Sequence, residues 1–119
     1  MTTVSIYHNP HCSKSRETLE ILQNKGINLN VILYLDTPPS VQMLKELIMQ
    51  LGFTSVRELI RTTELSYKQL NLDDKNLTED QLLTALHQHP ALIERPIVVV
   101  DQHAKIGRPP IQVMSLFKD

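Results

Sequence analysis

The sequence contains a single cysteine, Cys12, at a point where a strand is expected to give way to a helix. Residues Val4 to Tyr7 alternate apolar and β-forming side chains, and Asn9-Pro10 interrupts that strand. The next segment, Ser13 to Lys25, has apolar residues at helical spacing. This order places Cys12 at or next to the N-cap of a helix.

The start of a helix is a chemically active position for a cysteine. The first backbone N–H groups lack internal partners and carry a partial positive charge, so they favour a thiolate and also bind oxyanions. We therefore expect Cys12 to have a lowered pKa and to be a nucleophile near neutral pH. His8, Lys14 and Arg16 would add positive charge if they faced the sulfur. The alternative, a small buried hydrophobe, is common for free cysteines, but a strand-turn-helix junction favours the reactive interpretation.

The composition limits the classes of function. A chain of 119 residues with 41% hydrophobic and 21% charged residues is typical of one globular domain, spanning 1–119. A formal charge of −1 argues against nucleic-acid or membrane binding. There is no signal-like segment and no long apolar run, so we expect a cytoplasmic protein. Because no second cysteine exists, redox chemistry at Cys12 would need a thiol from another molecule.

The elements that would position Cys12 form an α/β pattern. Asn30 to Leu35 is predicted as a second strand, covered on both faces and parallel to the first, with a ligand site at the strand ends near Cys12. Ile97 to Val100 and Ala104 to Ile106 are predicted as a hairpin, followed by a short helix. This order of βαβ, then ββα, predicts a four-stranded mixed sheet with helices on its faces.

A helical insertion is predicted between the second and third strands, at approximately residues 40–93. Ser40 is a suitable N-cap for a helix that Gly52 ends, and Thr78 to Gln81 matches a capping box. Shorter helical turns are expected near residues 53–60 and 67–70.

Two arginines flank the predicted hairpin. Arg95 precedes its first strand and Arg108 follows its second, so they lie side by side at the open end. Each is followed by a proline, which restricts its backbone. Two guanidinium groups held together repel unless an anion joins them, and their planar forks match oxyanions. The alternative is that they pair with local acids such as Glu94 or Asp101.

Other polar residues give weaker signals. Arg57 and Arg61 lie one helical turn apart, and spacing alone does not decide whether either reaches Cys12. A solvated face is expected for at least one of them. No metal site is expected, because the histidines lack metal-ligand spacing and are predicted at the surface: His87, His89 and His103.

Four motifs in this order resemble the glutaredoxin-coupled arsenate reductase family of the ArsC/Spx superfamily, in its short YfgD-like branch. The resemblance covers residues 4–117, and its motifs are Tyr7-His8-Asn9-Pro10-His11-Cys12-Ser13-Lys14-Ser15-Arg16, Arg57-Glu58-Leu59-Ile60-Arg61, Glu94-Arg95-Pro96-Ile97-Val98 and Gly107-Arg108-Pro109-Pro110. It implies a thioredoxin-like fold with a helical insertion.

The resemblance also implies roles for individual residues. Cys12 would be the nucleophile, and the oxyanion would be bound by Arg61, Arg95 and Arg108. His8 and Ser15 would help to hold the thiolate, and Pro96 would correspond to the cis-proline of the thioredoxin fold.

The implied reaction reduces arsenate to arsenite. The Cys12 thiolate attacks arsenate, glutathione adds to the thiol-arsenate adduct, and glutaredoxin removes the glutathione as arsenic is reduced. Glutathione is then a co-substrate, glutaredoxin a partner, and no tightly bound cofactor is expected.

Two alternatives belong to other functional classes. An Spx-like regulator that binds RNA polymerase commonly has Cys-x-x-Cys, whereas Ser15 occupies the second position here. A single-cysteine glutaredoxin-like thiol transferase accounts for Cys12 but gives the arginines no purpose. The chain ends 11 residues after Arg108, which is the basis for expecting the short branch.

Overall fold

A computed structural model describes residues 3–117 of the protein. The chain divides into two compact units. The sheet unit contains the described residues up to Thr37 and those from Arg95 onward, and the insertion unit is Pro38–Glu94. The insertion predicted at 40–93 therefore matches the second unit to within two residues at each end. The assignment of the whole chain to a single domain stays a prediction.

The sheet unit has the predicted βαβ and ββα order. Its strands form one mixed sheet in the order β2-β1-β3-β4, in which β1 is parallel to β2 and antiparallel to β3, and β4 is antiparallel to β3. The elements are β1 (Val4–Tyr7), α1 (Ser13–Asn24), β2 (Leu29–Ile32), β3 (Ile97–Val100), β4 (His103–Ile106) and a 3-10 helix (Pro110–Leu116).

The core of this unit lies on one face of the sheet. Side chains at alternate positions of β1 and β3 face each other in register and pack with one residue from α1 and one from the 3-10 helix: Val4, Ile6, Leu22, Val98, Val100 and Val113. Each is buried. Truncating a fully buried residue such as Leu22 to alanine costs about 2–5 kcal/mol. This packing fixes α1, and with it Cys12, against the sheet.

The second strand differs from its prediction. β2 covers Leu29–Ile32 at the edge of the sheet, and Val31 is 42% exposed. The chain turns immediately afterwards, where the Asp36 amide donates to the Leu33 carbonyl oxygen at 3.0 Å. The expectation of a fully covered strand over Asn30 to Leu35 is therefore wrong. The apolar run combines a half-exposed edge strand with the turn that follows it.

The register of the strands brings three parts of the chain to one edge. Tyr7, Ile97 and Ile106 lie in one row across β1, β3 and β4. Cys12 comes after the end of β1, Arg95 lies just before β3, and Arg108 lies just after β4. Cys12, Arg95 and Arg108 each lie just beyond this row, so they lie at the same end of the strands.

The insertion unit is helical, as predicted. It contains α2 (Val41–Leu51), a 3-10 helix (Val56–Leu59), α3 (Leu65–Gln69), α4 (Glu79–Gln88) and a second 3-10 helix (Pro90–Leu92). The predicted caps are confirmed, because Ser40 accepts from the Met43 amide at 3.1 Å and Gly52 ends α2 at φ 76°. Thr78 and Gln81 form the capping box of α4. Of the helices within residues 3–117, none combines the length and apolar character needed to cross a membrane.

Candidate active site

Cys12 is the N-cap residue of α1, as the sequence predicts. Its backbone is extended (φ −101°, ψ 123°), and its amide donates to the Asn9 carbonyl oxygen at 3.0 Å. The carbonyl oxygen of Cys12 accepts from the backbone amide of Arg16 at 3.0 Å. The side chain is partly exposed, so the sulfur is accessible to other molecules. Cys12 is therefore not the buried hydrophobe of the alternative interpretation.

The two hairpin arginines converge on this sulfur. Nη2 of Arg108 lies 3.4 Å from Sγ of Cys12, and Nε of Arg108 donates to the carbonyl oxygen of Arg95 at 2.8 Å. The side chain of Arg95 also acts on the sulfur and lowers the pKa of Cys12. The bonds that precede Pro96 and Pro109 are both cis. The predicted side-by-side placement of the arginines is thus present, and its common target is Cys12.

The balance of forces on the sulfur lowers the pKa of Cys12. Burial raises the pKa and is the largest single effect, but the backbone amide of Ser15, the side chain of Arg95, the amide of Lys14 and the charge of Arg108 together outweigh it. Sγ makes no capping hydrogen bond of regular geometry, so we assign the effect of the two amides to their partial charge. The result is a partly exposed thiol with a lowered pKa and two guanidinium groups beside it.

His8 and Ser15 form a buried pair that spans the loop between β1 and α1. Nδ1 of His8 lies 2.7 Å from Oγ of Ser15, and the same Oγ accepts from the Asn9 amide at 3.0 Å. Burial, and then the charge of Arg16, lower the pKa of His8, which favours a neutral ring. The hydroxyl of Ser15 thus holds the loop, while its backbone amide acts on the sulfur. His8 supplies no positive charge at neutral pH.

The other nearby cations point to different partners. Nη1 of Arg16 donates to the Pro10 carbonyl oxygen at 2.9 Å, and Nζ of Lys14 lies 3.9 Å from Oε2 of Glu17 in an exposed pair. The effect of Lys14 on the pKa of Cys12 comes from its backbone amide.

The two arginines of the insertion unit have structural partners. Arg57 donates to the carbonyl oxygens of Leu72 at 2.8 Å and Asp74 at 2.7 Å. Arg57 and Arg61 are both only partly exposed, so the solvated face expected for at least one of them is wrong. Arg61 lies 3.5 Å from a carboxylate oxygen of Glu64 and 3.8 Å from one of Glu94. Two carboxylates thus hold the guanidinium of Arg61.

The local acids proposed as alternative partners lie elsewhere. Glu94 pairs with Arg61, and Asp101 lies in the turn at the opposite end of the hairpin from Arg108. The histidines expected at the surface are exposed: His87, His89 and His103. Among the residues that the structure describes, no three potential ligands cluster in a way that could hold a metal ion.

Comparison with known proteins places the chain in a family. A model of the ArsC family matches residues 7–116. The chain belongs to the ArsC family. An arsenate reductase of Haemophilus influenzae (strain ATCC 51907 / DSM 11121 / KW20 / Rd) is 51% identical over 114 residues, which cover 96% of this chain and 98% of the relative. The YfgD protein of Escherichia coli (strain K12) is 51% identical over 95% of each chain.

A solved structure agrees with the fold. An arsenate reductase from Vibrio cholerae is 54% identical, superimposes with a TM-score of 0.95 and covers 98% of both chains. The thioredoxin-like fold predicted for the ArsC-family chain is thereby confirmed.

Sequence reasoning named Gly107 only as part of a motif and missed its role in placing Arg108. A Cβ atom on Gly107 would lie 2.5 Å from Oγ1 of Thr18 and 2.8 Å from Cγ of Pro96. The absence of a side chain therefore lets the segment that carries Arg108 lie directly against α1. An isolated glycine gives no sequence signal of this kind, because the close approach is made by residues distant along the chain.

Proposed function

We propose that this protein is an arsenate reductase that reduces arsenate to arsenite through a Cys12 adduct, with glutathione and glutaredoxin as thiol donors. The observation that carries the proposal is the guanidinium of Arg108 at 3.4 Å from Sγ of Cys12, with Arg95 at the same sulfur. Relatives about half identical over nearly the whole chain bear the name arsenate reductase. A cytoplasmic location would supply the reduced thiols that such a cycle consumes.

The arginines would act on the first step. Arsenate is an anion that repels a thiolate. Two fixed guanidinium groups beside the sulfur would offset that repulsion as arsenate approaches the thiolate. The thiolate attacks arsenic(V), a sulfur–arsenic bond forms, and one arsenate oxygen leaves as water after taking up protons. Arg61 is proposed as a third residue that binds the anion. Its guanidinium would have to leave the carboxylates of Glu64 and Glu94 to do so.

The later steps would use external thiols, because the chain has no second cysteine. Glutathione displaces another oxygen as water and binds arsenic through its sulfur. The glutaredoxin thiolate then attacks that glutathione sulfur. The bond between the glutathione sulfur and arsenic breaks, and its electron pair stays on arsenic. Arsenic(V) becomes arsenic(III), a glutaredoxin–glutathione disulfide forms, and water releases arsenite and the Cys12 thiol.

A coupled assay tests the proposal. NADPH oxidation is followed with arsenate, glutathione, glutathione reductase and glutaredoxin. We expect oxidation that depends on arsenate, is abolished in Cys12→Ser, and falls by about 10²–10³-fold in kcat/KM in Arg95→Ala and in Arg108→Ala.

The same assay separates the alternatives. NADPH oxidation with hydroxyethyl disulfide and none with arsenate would replace the proposal with a thiol transferase. Inactivity on both substrates, together with capture of RNA polymerase by the wild-type protein, would replace it with a regulator.

A further inference from the structure

A groove lies beside the active site, within the sheet unit. It has a volume of about 410 Å³ and runs between α1 and the segment that follows Arg108. Its walls contain two acidic residues, one amide and four apolar residues: Glu17, Glu20, Asn24, Ile21, Pro109, Pro110 and Ile111. Ile111 is 62% exposed, so part of this apolar surface faces solvent.

The groove is linked to the active site through the chain on both of its sides. Glu17 and Glu20 follow Ser13 on the same stripe of α1, at spacings of four and three residues, and Ser13 is next to Cys12. On the other side, Pro109 directly follows Arg108, whose guanidinium touches the sulfur. A protein whose own reactive group approached Cys12 would therefore meet this groove.

The groove differs in charge from the site that it borders. The site is cationic, through Arg95 and Arg108, whereas the charged side chains of the groove are carboxylates. Glu17 makes a long, exposed pair with Lys14, and within residues 3–117 Glu20 makes no ion pair. The charged side chains that line the groove are therefore both carboxylates, and within the described residues Glu20 is not neutralised by an ion pair.

We propose that this groove is the docking surface for a protein thiol donor that carries cationic residues around its reactive cysteine. This inference rests on the proposed function for the identity of the donor class. Reactive cysteines occur in electropositive surroundings, because cations stabilise the thiolate. A protein donor therefore presents positive charge around its sulfur, which complements Glu17 and Glu20, while Ile21 and Ile111 supply apolar contact. Glutathione alone is small and anionic, so it gains nothing from a groove lined by carboxylates.

The exchange at this surface can be isolated from arsenic chemistry. Cys12 is first converted to its mixed disulfide with glutathione, using oxidised glutathione. The donor thiolate then attacks the glutathione sulfur, the disulfide to Cys12 breaks, and the products are the Cys12 thiolate and a donor–glutathione disulfide. The number of sulfur–sulfur bonds is conserved, and no further oxidant is required.

The experiment compares two reductants on this mixed disulfide, a glutaredoxin with a basic surface around its reactive cysteine and dithiothreitol. Glu20→Lys and Ile111→Ser are the groove variants. Their matched controls are Glu46→Lys and Leu65→Ser, which change exposed residues of the insertion unit. We expect the groove variants to react about tenfold more slowly with glutaredoxin and at the wild-type rate with dithiothreitol, and the controls to match the wild type.

Salt gives a second readout. Rising ionic strength should slow the wild-type reaction with glutaredoxin and have less effect on Glu20→Lys. The proposal is overturned if both groove variants react with glutaredoxin at the wild-type rate, or if they slow equally with both reductants. Because the reaction contains no arsenate, its outcome is independent of whether arsenate is the substrate.

Discussion

At the scale of single residues, the reactivity of Cys12 results from opposing effects. Burial disfavours the thiolate, whereas two backbone amides and two guanidinium groups favour it, and the second set prevails. The amides come from the helix that the cysteine caps, and the guanidinium groups come from the distant hairpin. The contribution of Arg108 can therefore be removed without disturbing the helix.

The first prediction concerns Arg108. Arg108→Ala should raise the pKa of Cys12, because the positive charge 3.4 Å from Sγ is lost. The measurement is the pH titration of thiolate absorbance, with Cys12→Ser as the blank. Lys14→Ala is the matched control, because it removes a nearby cation that pairs with Glu17 and leaves the amide in place. An equal rise in both variants would contradict the assignment to Arg108.

A second prediction separates the hydroxyl of Ser15 from its amide. Ser15→Ala should lower the free energy of unfolding by about 1–3 kcal/mol, because Nδ1 of His8 and the Asn9 amide lose a buried partner. The pKa of Cys12 should change less than in Arg108→Ala, since the backbone amide remains. Urea unfolding and the thiolate titration test the two parts. A larger pKa change in Ser15→Ala would mean that the hydroxyl acts on the sulfur directly.

At the scale of elements, the strand register sets the geometry of the site. The open end of the hairpin is closed by the Gly107 amide, which donates to the Pro96 carbonyl oxygen at 2.9 Å. Gly107 also lies against Thr18 of α1, where a methyl group has no room. The contact between hairpin and helix therefore fixes the position from which Arg108 reaches Cys12.

The third prediction tests this contact. Gly107→Ala should destabilise the protein by about 1–3 kcal/mol through overpacking, and it should raise the pKa of Cys12 by displacing Arg108. Adding Thr18→Ala should restore part of the lost stability and return the pKa of Cys12 part of the way to its wild-type value. Only part is restored, because the substitution removes the nearest atoms while Pro96 remains. Urea unfolding and the thiolate titration measure the two effects.

The control for this prediction is Gly26→Ala. Gly26 has φ 66° and no neighbour within 4 Å, so its substitution strains the backbone far from any close contact. It should reduce stability and leave the pKa of Cys12 unchanged. A pKa that shifts in Gly26→Ala as much as in Gly107→Ala would mean that general destabilisation, and not the displacement of Arg108, is the cause.

The elements also show what local sequence can predict. The cap at Cys12, the capping box at Thr78 and the hairpin were correctly predicted, because each depends on neighbouring residues. The second strand was predicted in the right place and direction, but its length and its covered faces were not, since Val31 to Leu35 is an unbroken apolar and aromatic run and only the sheet order reveals an exposed edge. The partners of Arg57 lie 15 and 17 positions away in an irregular segment, beyond the reach of periodicity.

At the scale of the whole molecule, the site joins distant parts of the chain. Cys12 and Arg108 are 96 positions apart, and the insertion unit Pro38–Glu94 lies between them in sequence. Their convergence could be predicted because strand pairing translates sequence order into position at a sheet edge. The formal charge of −1 gave no sign of it, because a net charge does not show where cations gather.

The last prediction concerns the stability of the whole protein against pH. The pKa values of Cys12 and His8 are both lower in the folded protein than their ordinary values of 9.0 and 6.5. Between the lowered pKa and the ordinary pKa of each group, the unfolded chain therefore binds more protons than the folded one. The free energy of unfolding rises with pH across each of these two pH ranges. For Cys12 this stabilisation is complete above 9.0 and is lost as the pH falls through the lowered pKa. For His8 stability is lost as the pH falls below 6.5.

Two variants separate these contributions. Urea unfolding of the wild type and Cys12→Ser should diverge as the pH rises toward 9.0, with the wild type gaining stability, and should run parallel below the lowered pKa of Cys12. His8→Gln should lose part of the decline below 6.5 that the wild type shows, because it removes a group that the unfolded chain protonates at a higher pH than the folded protein does. A wild type whose stability relative to Cys12→Ser falls as the pH approaches 9.0 would show that burial, and not the arginines and amides, dominates at the sulfur.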